Sequence, residues 1–151
     1  MTVQRKRRTI FYFEDDVDCI NEVVNILKEQ YDIILAAHWP VIKIKREFPF
    51  DLVIIDLMIH RFSIDESGQE VENISFEGIS WKRTGVDFLK RIRIEEYVEF
   101  GFSKDVPVII ASAVVDYNVK QEAHNLKISH YIEKPFTLGE IQEVIRKILA
   151  K

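Results

Sequence analysis

Short apolar runs alternate along this chain with stretches of helical period. Thr9-Ile10-Phe11-Tyr12-Phe13 is continuously apolar rather than alternating, the pattern of a strand buried on both faces. It stops at Glu14-Asp15-Asp16, after which Val17, Ile20, Val23, Val24 and Leu27 share one helix face, with Asp16 as the expected N-cap. Asp32 to Ala37 predicts a second strand, and Trp39-Pro40 opens a short helix over Val41, Ile42 and Ile44 that ends near Phe48-Pro49. The third strand is Leu52-Val53-Ile54-Ile55-Asp56, again apolar and again ending in an acid. A helix from Gly85 carries Val86, Leu89 and Ile92, and Pro107 to Ala111 is a fourth buried strand ending at Ser112. A helix from about Tyr117 to Leu126 leads to a short fifth strand, His130-Tyr131-Ile132, which ends at Lys134-Pro135. The last helix places Leu138, Ile141, Val144, Ile145, Ile148 and Leu149 at 3.6 spacing, with Thr137 as cap.

Strict alternation of five strands and five helices predicts an α/β fold, a doubly wound five-stranded parallel sheet with helices on both faces. One stretch breaks the rhythm. Residues 59–84 take 26 positions where a βα loop usually takes about 2–6. Phe62 and Ile64, then Ile74 and Phe76, alternate around Glu66-Ser67-Gly68-Gln69, a pattern that permits a β-hairpin and equally a loose loop.

The length of 151 residues suits one domain, 1–151, with a basic N-terminal tail over 1–8 and an insertion over 59–84. A composition of 47% hydrophobic and 30% charged residues excludes disordered and collagenous classes. The net charge of −4 gives no general attraction to nucleic acid or anionic membrane. With one cysteine, Cys19, no internal disulfide can form, and a cytoplasmic setting is the expectation. No apolar run approaches the roughly 18 residues of a membrane span, and the start of the chain does not have the form of a signal peptide. Arg5 to Arg8 reads as a solvated tail. His38, His60, His124 and His130 lack metal-ligand spacing and read as surface or packing residues, as do Trp39 and Trp81.

Ligands of open α/β sheets bind beyond the carboxyl ends of the strands. Those ends here carry Glu14, Asp15 and Asp16, then Asp56, Ser112 and Lys134. Gathered carboxylates repel one another unless a cation joins them, and Mg2+ favours oxygen ligands. A nearby ammonium and hydroxyl suit a phosphoryl group. The matching chemistry is phosphoryl transfer onto a carboxylate, with Asp56 as nucleophile. Taken singly, each acid is more readily a cap or turn residue; the set of four strand ends carries the argument.

These residues resemble the response-regulator receiver domain of two-component signalling, a flavodoxin-like fold. Phe13-Glu14-Asp15-Asp16 is similar to its acidic cluster, Val53-Ile54-Ile55-Asp56-Leu57-Met58 to its phosphoacceptor strand, and Pro107 to Ala113 to the strand bearing its hydroxyl. Tyr131-Ile132-Glu133-Lys134-Pro135-Phe136 resembles its lysine-proline-phenylalanine signature. The resemblance implies that Asp56 accepts the phosphoryl group. It implies a Mg2+ ion, with Mn2+ as a substitute, on Asp15, Asp56 and the Met58 backbone carbonyl, with Glu14 acting through water. Lys134 and Ser112 would bind phosphoryl oxygens, Tyr131 would turn inward as the switch aromatic, and Pro135 would follow a cis bond. A surface of the fourth helix, fifth strand and fifth helix would then signal by protein contact.

The implied partners are a histidine kinase or phosphotransfer protein and a downstream protein target. Pairing of two copies through the output face is also implied, and binding of nucleic acid or membrane is not. Met58 and Val114 stand where the family tunes dephosphorylation; both are apolar here, which implies slow autodephosphorylation. The family's glycine after the phosphoacceptor corresponds to Gly85, 29 residues on from Asp56, and the usual small-residue turn before the fifth strand is replaced by Asn125-Leu126-Lys127-Ile128-Ser129. With only Ala150-Lys151 after the last helix, a stand-alone receiver that is not an enzyme is expected. The alternatives are a receiver-like adaptor acting through 59–84 without phosphorylation, and an aspartyl-nucleophile phosphatase. Such a phosphatase would need an acid where Met58 stands. No phosphate-binding glycine motif points to a nucleotide enzyme.

Overall fold

The computed structural model describes residues 7–14, 16–37, 45–57, 63–64, 70–71, 84–113 and 117–150. Five parallel strands form one sheet: β1 (Thr9–Phe13), β2 (Asp32–Ala36), β3 (Leu52–Ile55), β6 (Val108–Ser112) and β7 (His130–Glu133), in the spatial order β2-β1-β3-β6-β7. The helices are α1 (Val17–Leu27), α2 (Thr84–Arg93), α3 (Tyr117–Asn125) and α4 (Leu138–Leu149). A 3-10 turn covers Val98–Phe100. This is the doubly wound architecture expected from the alternation of patterns.

Side chains of one strand alternate between two faces, and the two faces are filled differently. Ile10 and Tyr12 join Ile20, Val24 and Leu27 of α1 and Ile141 and Ile145 of α4 in one core layer. Phe11 and Phe13 join Val86, Phe88, Leu89 and Ile92 of α2 and Val119 and Ala123 of α3 in the other. That second layer is rich in rings. Phe11–Phe102, Phe13–Phe88 and Phe88–Phe102 meet edge to face, with centroids 4.9, 5.2 and 5.2 Å apart. Such pairs add about 0.5–1.5 kcal/mol each beyond the area they bury. The same continuous apolar runs that identified the strands are thus explained by layers on both sides.

Local chemistry sets the ends of elements. Thr137 caps α4 in a reciprocal capping box with Glu140, whose N–H donates to Thr137 Oγ1 at 3.1 Å. The helix expected to end near Phe48-Pro49 does not cover 45–50. Those residues run without helix beside 99–101, with the Arg46 N–H on Glu99 O (3.1 Å) and the Phe50 N–H on Gly101 O (2.8 Å). Pro49 disfavours helical backbone at Phe48. The remainder of that predicted helix, His38, His60, Trp39, Trp81 and the side chain of Cys19 lie outside the described residues.

Arg7 and Arg8 are not a free tail. Arg7 donates to the carbonyls of Lys28 and Tyr31 past the end of α1, and its Nε lies 3.7 Å from Asp32. Arg8 pairs with Asp51 at 3.4 Å. The sequence reading gave their charge its solvated role because their partners are distant in sequence.

Within the 59–84 stretch, β4 (Ser63–Ile64) and β5 (Glu70–Val71) pair antiparallel. This is a hairpin of two-residue strands; the alternation at Phe62, Ile74 and Phe76 lies outside the described residues. The stretch leaves the sheet at Leu57 and is back beside it at Gly85, whose N–H donates to Leu57 O at 3.0 Å.

The turn before β7 that lacks a small residue closes through Lys127, at φ 61°, with its N–H on His124 O at 3.1 Å. Left-handed backbone disfavours a β-carbon. Lys127→Gly is therefore expected to raise stability by about 0.5–1 kcal/mol. The urea midpoint checks this, and a lowered midpoint would contradict it.

Candidate functional site

β1 and β3 are adjacent in the sheet, and the chain winds away from them in opposite directions, so their carboxyl ends open a crevice. The Glu14 N–H bonds to Ala36 O at 3.0 Å and the Asp56 N–H to Phe13 O at 3.0 Å, which extends the parallel ladder into the crevice and fixes both acids on it. β6 and β7 supply the next two residues. Ser112 ends β6, and Lys134 follows β7, with its N–H on Ser112 O at 2.9 Å.

The four side chains meet. Ser112 Oγ donates to Asp56 Oδ1 at 2.8 Å, and Lys134 Nζ donates to Asp56 Oδ2 at 3.0 Å. Lys134 Nζ also donates to Glu14 Oε2, while Glu14 Oε1 accepts the Asp16 N–H at 3.1 Å. Glu14 and Ser112 are fully buried and Asp56 nearly so. The Lys134–Pro135 peptide is cis.

One ammonium does not balance two buried carboxylates. Burial, and next the charge of Asp56, push the Glu14 carboxyl from 4.5 up to about 8. Burial alone would lower the Lys134 ammonium, but Asp56 and Glu14 outweigh it and hold the group above its ordinary value. Tyr131, half-buried on β7, has its hydroxyl pushed up by burial, then by Glu133 and Asp56.

The two carboxylates offer oxygen ligands alone and, when both are ionised, outweigh the one ammonium, which fits a hard divalent cation. Among the described residues no group of three potential ligands stands together. Glu14 and Asp56 are two, and Asp15, Met58 and Val114 lie outside the described residues.

α2 begins against this site. Thr84 is fully buried, and a β-carbon on Gly85 would lie 2.2 Å from Asp56 O and 2.5 Å from Leu57 Cα. Sequence reasoning marked Gly85 by its family position but missed this contact. It also missed Lys120 and His124. Their i, i+4 spacing on a helix facing the fifth strand was the available signal.

Solved receiver domains share this fold over nearly the whole chain. A CheY-like response-regulator receiver domain protein from Methanospirillum hungatei JF-1 gives a TM-score of 0.66 at 18% identity, covering 96% of this chain and 95% of that one. A signal receiver domain from Clostridium thermocellum gives 0.67 at 17% identity, covering 97% and 100%. The non-phosphorylated HemR receiver domain from Leptospira biflexa gives 0.66 at 20% identity, covering 95% of each. At these identities the likeness is one of fold. No protein-family model matches the sequence, and no curated protein matches it. Among the described residues no helix is long and apolar enough to cross a membrane.

Proposed function

Proceeding from a receiver fold, we propose that this chain is a phosphoacceptor signalling domain in which Asp56 takes a phosphoryl group from a histidine kinase or phosphotransfer protein. The observation that carries this reading is the pair of donors on Asp56, a serine hydroxyl on one oxygen and a lysine ammonium on the other. An acid serving only as a cap or turn residue needs neither.

In the transfer, an Asp56 oxygen attacks phosphorus and forms an acyl phosphate. The P–N bond of the phosphohistidine breaks, its electron pair stays on the imidazole, and that nitrogen takes a proton from water. A bound Mg2+ supplies charge neutralisation for the transferring oxygens; Glu14 and Asp56, with Asp15 and the Met58 carbonyl, would hold it. Lys134 keeps its contact with the aspartyl group and orients an oxygen. Ser112 exchanges its bond to Asp56 Oδ1 for one to a phosphoryl oxygen.

The phosphorylated aspartyl group carries about two negative charges, and Ser112 moves toward it. Charge-assisted bonds of roughly 1.5–3 kcal/mol each are of the size needed to swing a switch from 1:99 to 99:1, about 5.5 kcal/mol. The surface formed by α3, β7 and α4 then presents a changed face to a protein target. The domain acts as a signalling device in a cytosolic setting, with slow loss of its phosphoryl group as its only turnover.

Incubation with Mg2+ and acetyl phosphate followed by intact mass measurement tests the reading. The expected result is a persistent gain of one phosphoryl group, abolished by Asp56→Asn or by chelating the metal. Consumption of acetyl phosphate without accumulation would indicate a phosphatase. No reaction would indicate an adaptor.

A further inference from the structure

α3 is lightly anchored. Of its nine residues only Val119 and Ala123 are buried. Past its C-terminal end Arg93 of α2 donates from Nε to Leu126 O at 2.8 Å and from Nη2 to Lys127 O at 3.3 Å. The same guanidinium donates from Nη1 to the carbonyls of Lys104 and Val106, both at 2.8 Å. One end of α3 is therefore fixed to the body of the protein.

The middle of α3 is held differently. Lys120 and His124, one helical turn apart, both close on Tyr131 of β7. Lys120 Nζ lies 4.6 Å from the centroid of the tyrosine ring and 3.6 Å from Glu133 Oε1. The His124 ring stacks on the same tyrosine, with centroids 5.8 Å apart and planes at 22°. Tyr131 and Glu133 project to one side of β7, and Glu133 is in register with Ser112. The ring thus stands diagonally beside the hydroxyl that holds Asp56, and faces α3.

We propose that Lys120 and His124 form a latch that keeps Tyr131 against α3 while Asp56 is unmodified, so that these two residues set the resting position of the switch. The regulatory part rests on the phosphoacceptor reading of Asp56. For Tyr131 to follow Ser112 inward, its ring must leave both the cation and the imidazole. The ion pair to Glu133 places the lysine over the ring. With the far end fixed by Arg93, release of the latch frees the end of α3 nearer the site to swing.

The test uses protein labelled with 3-fluorotyrosine, with the Tyr131 fluorine resonance identified through Tyr131→Phe. In the unmodified protein, Lys120→Met and His124→Ala are each expected to move that resonance. They should speed amide exchange over 117–125 roughly two- to fivefold, the size expected of one cation–π or stacking contact at a partly exposed site, while exchange in α4 stays as in wild type. Lys120→Arg keeps a cation over the ring and should behave as wild type.

With acetyl phosphate, the two latch variants should label at Asp56 roughly two- to fivefold faster than wild type. An unmoved resonance with unchanged exchange overturns the latch, and so does faster exchange in α3 and α4 alike, which would mean general loss of stability. A wild type that labels normally beside unmoved variant resonances overturns the latch alone. A wild type that takes no phosphoryl group overturns the regulatory role together with the reading of Asp56, and the fluorine measurement then still decides whether the two side chains hold the ring.

Discussion

Gly85→Ala is expected to destabilise the protein by about 3 kcal/mol or more. The added β-carbon would sit 2.2 Å from Asp56 O, 2.5 Å from Leu57 Cα and 2.9 Å from Leu57 O. All three are backbone atoms, so no side-chain rotation relieves the overlap. α2 would have to retreat, stretching the Gly85 N–H to Leu57 O bond and loosening Val86, Phe88, Leu89 and Ile92 from the ring-rich layer. Overpacking of a rigid contact costs about 1–3 kcal/mol, and a lost backbone hydrogen bond adds about 1 kcal/mol. Gly139→Ala is the control. A β-carbon there meets nothing nearer than Thr137 Oγ1 at 3.9 Å, and in α4 alanine is the better helix former. Its urea midpoint should stay level or rise. A Gly85→Ala midpoint within about 1 kcal/mol of wild type would mean that α2 does not press on the strand end.

The second large effect is a dependence on pH in protein freed of divalent metal. Glu14 ionises at about 8 in the folded chain against 4.5 ordinarily. Between those values the folded state binds a proton that the unfolded state has lost. The contribution of Glu14 to stability is therefore full below pH 4.5 and is lost as pH rises toward 8. At 1.36 kcal/mol per pH unit the loss is on the order of 5 kcal/mol at most. Lys134 is also raised, but from 10.5, so its contribution is constant across this window. Urea midpoints at pH 5, 6.5 and 8 check the slope. Glu14→Gln, neutral throughout and able to keep accepting from Lys134, should flatten it. Added Mg2+ should stabilise more at pH 8 than at pH 5, because a cation favours the ionised carboxylates. A midpoint that rises from pH 5 to 8 in metal-free protein would contradict the crowding of charge at this site.

Much of the fold was legible because its signals are local. Thr9–Phe13 and Leu52–Ile55 are apolar runs with acids after them, and a strand buried on both faces has few other ways to be written. The Thr137 cap needs only residues three apart. The candidate site was legible for a related reason. In a parallel sheet every strand delivers its last residue to the same edge, so Glu14, Asp56, Ser112 and Lys134 could be gathered without knowing any distance.

What escaped depends on pairs far apart in sequence. Arg93 finds its carbonyls 11 to 34 positions away, and Arg7 finds its own across 21 and 24. A charged side chain looks solvated until the backbone it reaches is known. His124 reads as a surface or packing residue and is exposed; its stacking on Tyr131 is hinted at only by its i, i+4 spacing from Lys120.

The hydrogen bond between Gly85 and Leu57 also bears on how this chain can vary. An excursion that departs and returns at neighbouring points behaves as a cassette, since its two ends stay together whatever lies between them. Doubling the length of such a closed segment costs only about 0.6 kcal/mol in chain entropy. Relatives could therefore lengthen, trim or exchange it beside Asp56 with little change to the sheet beneath.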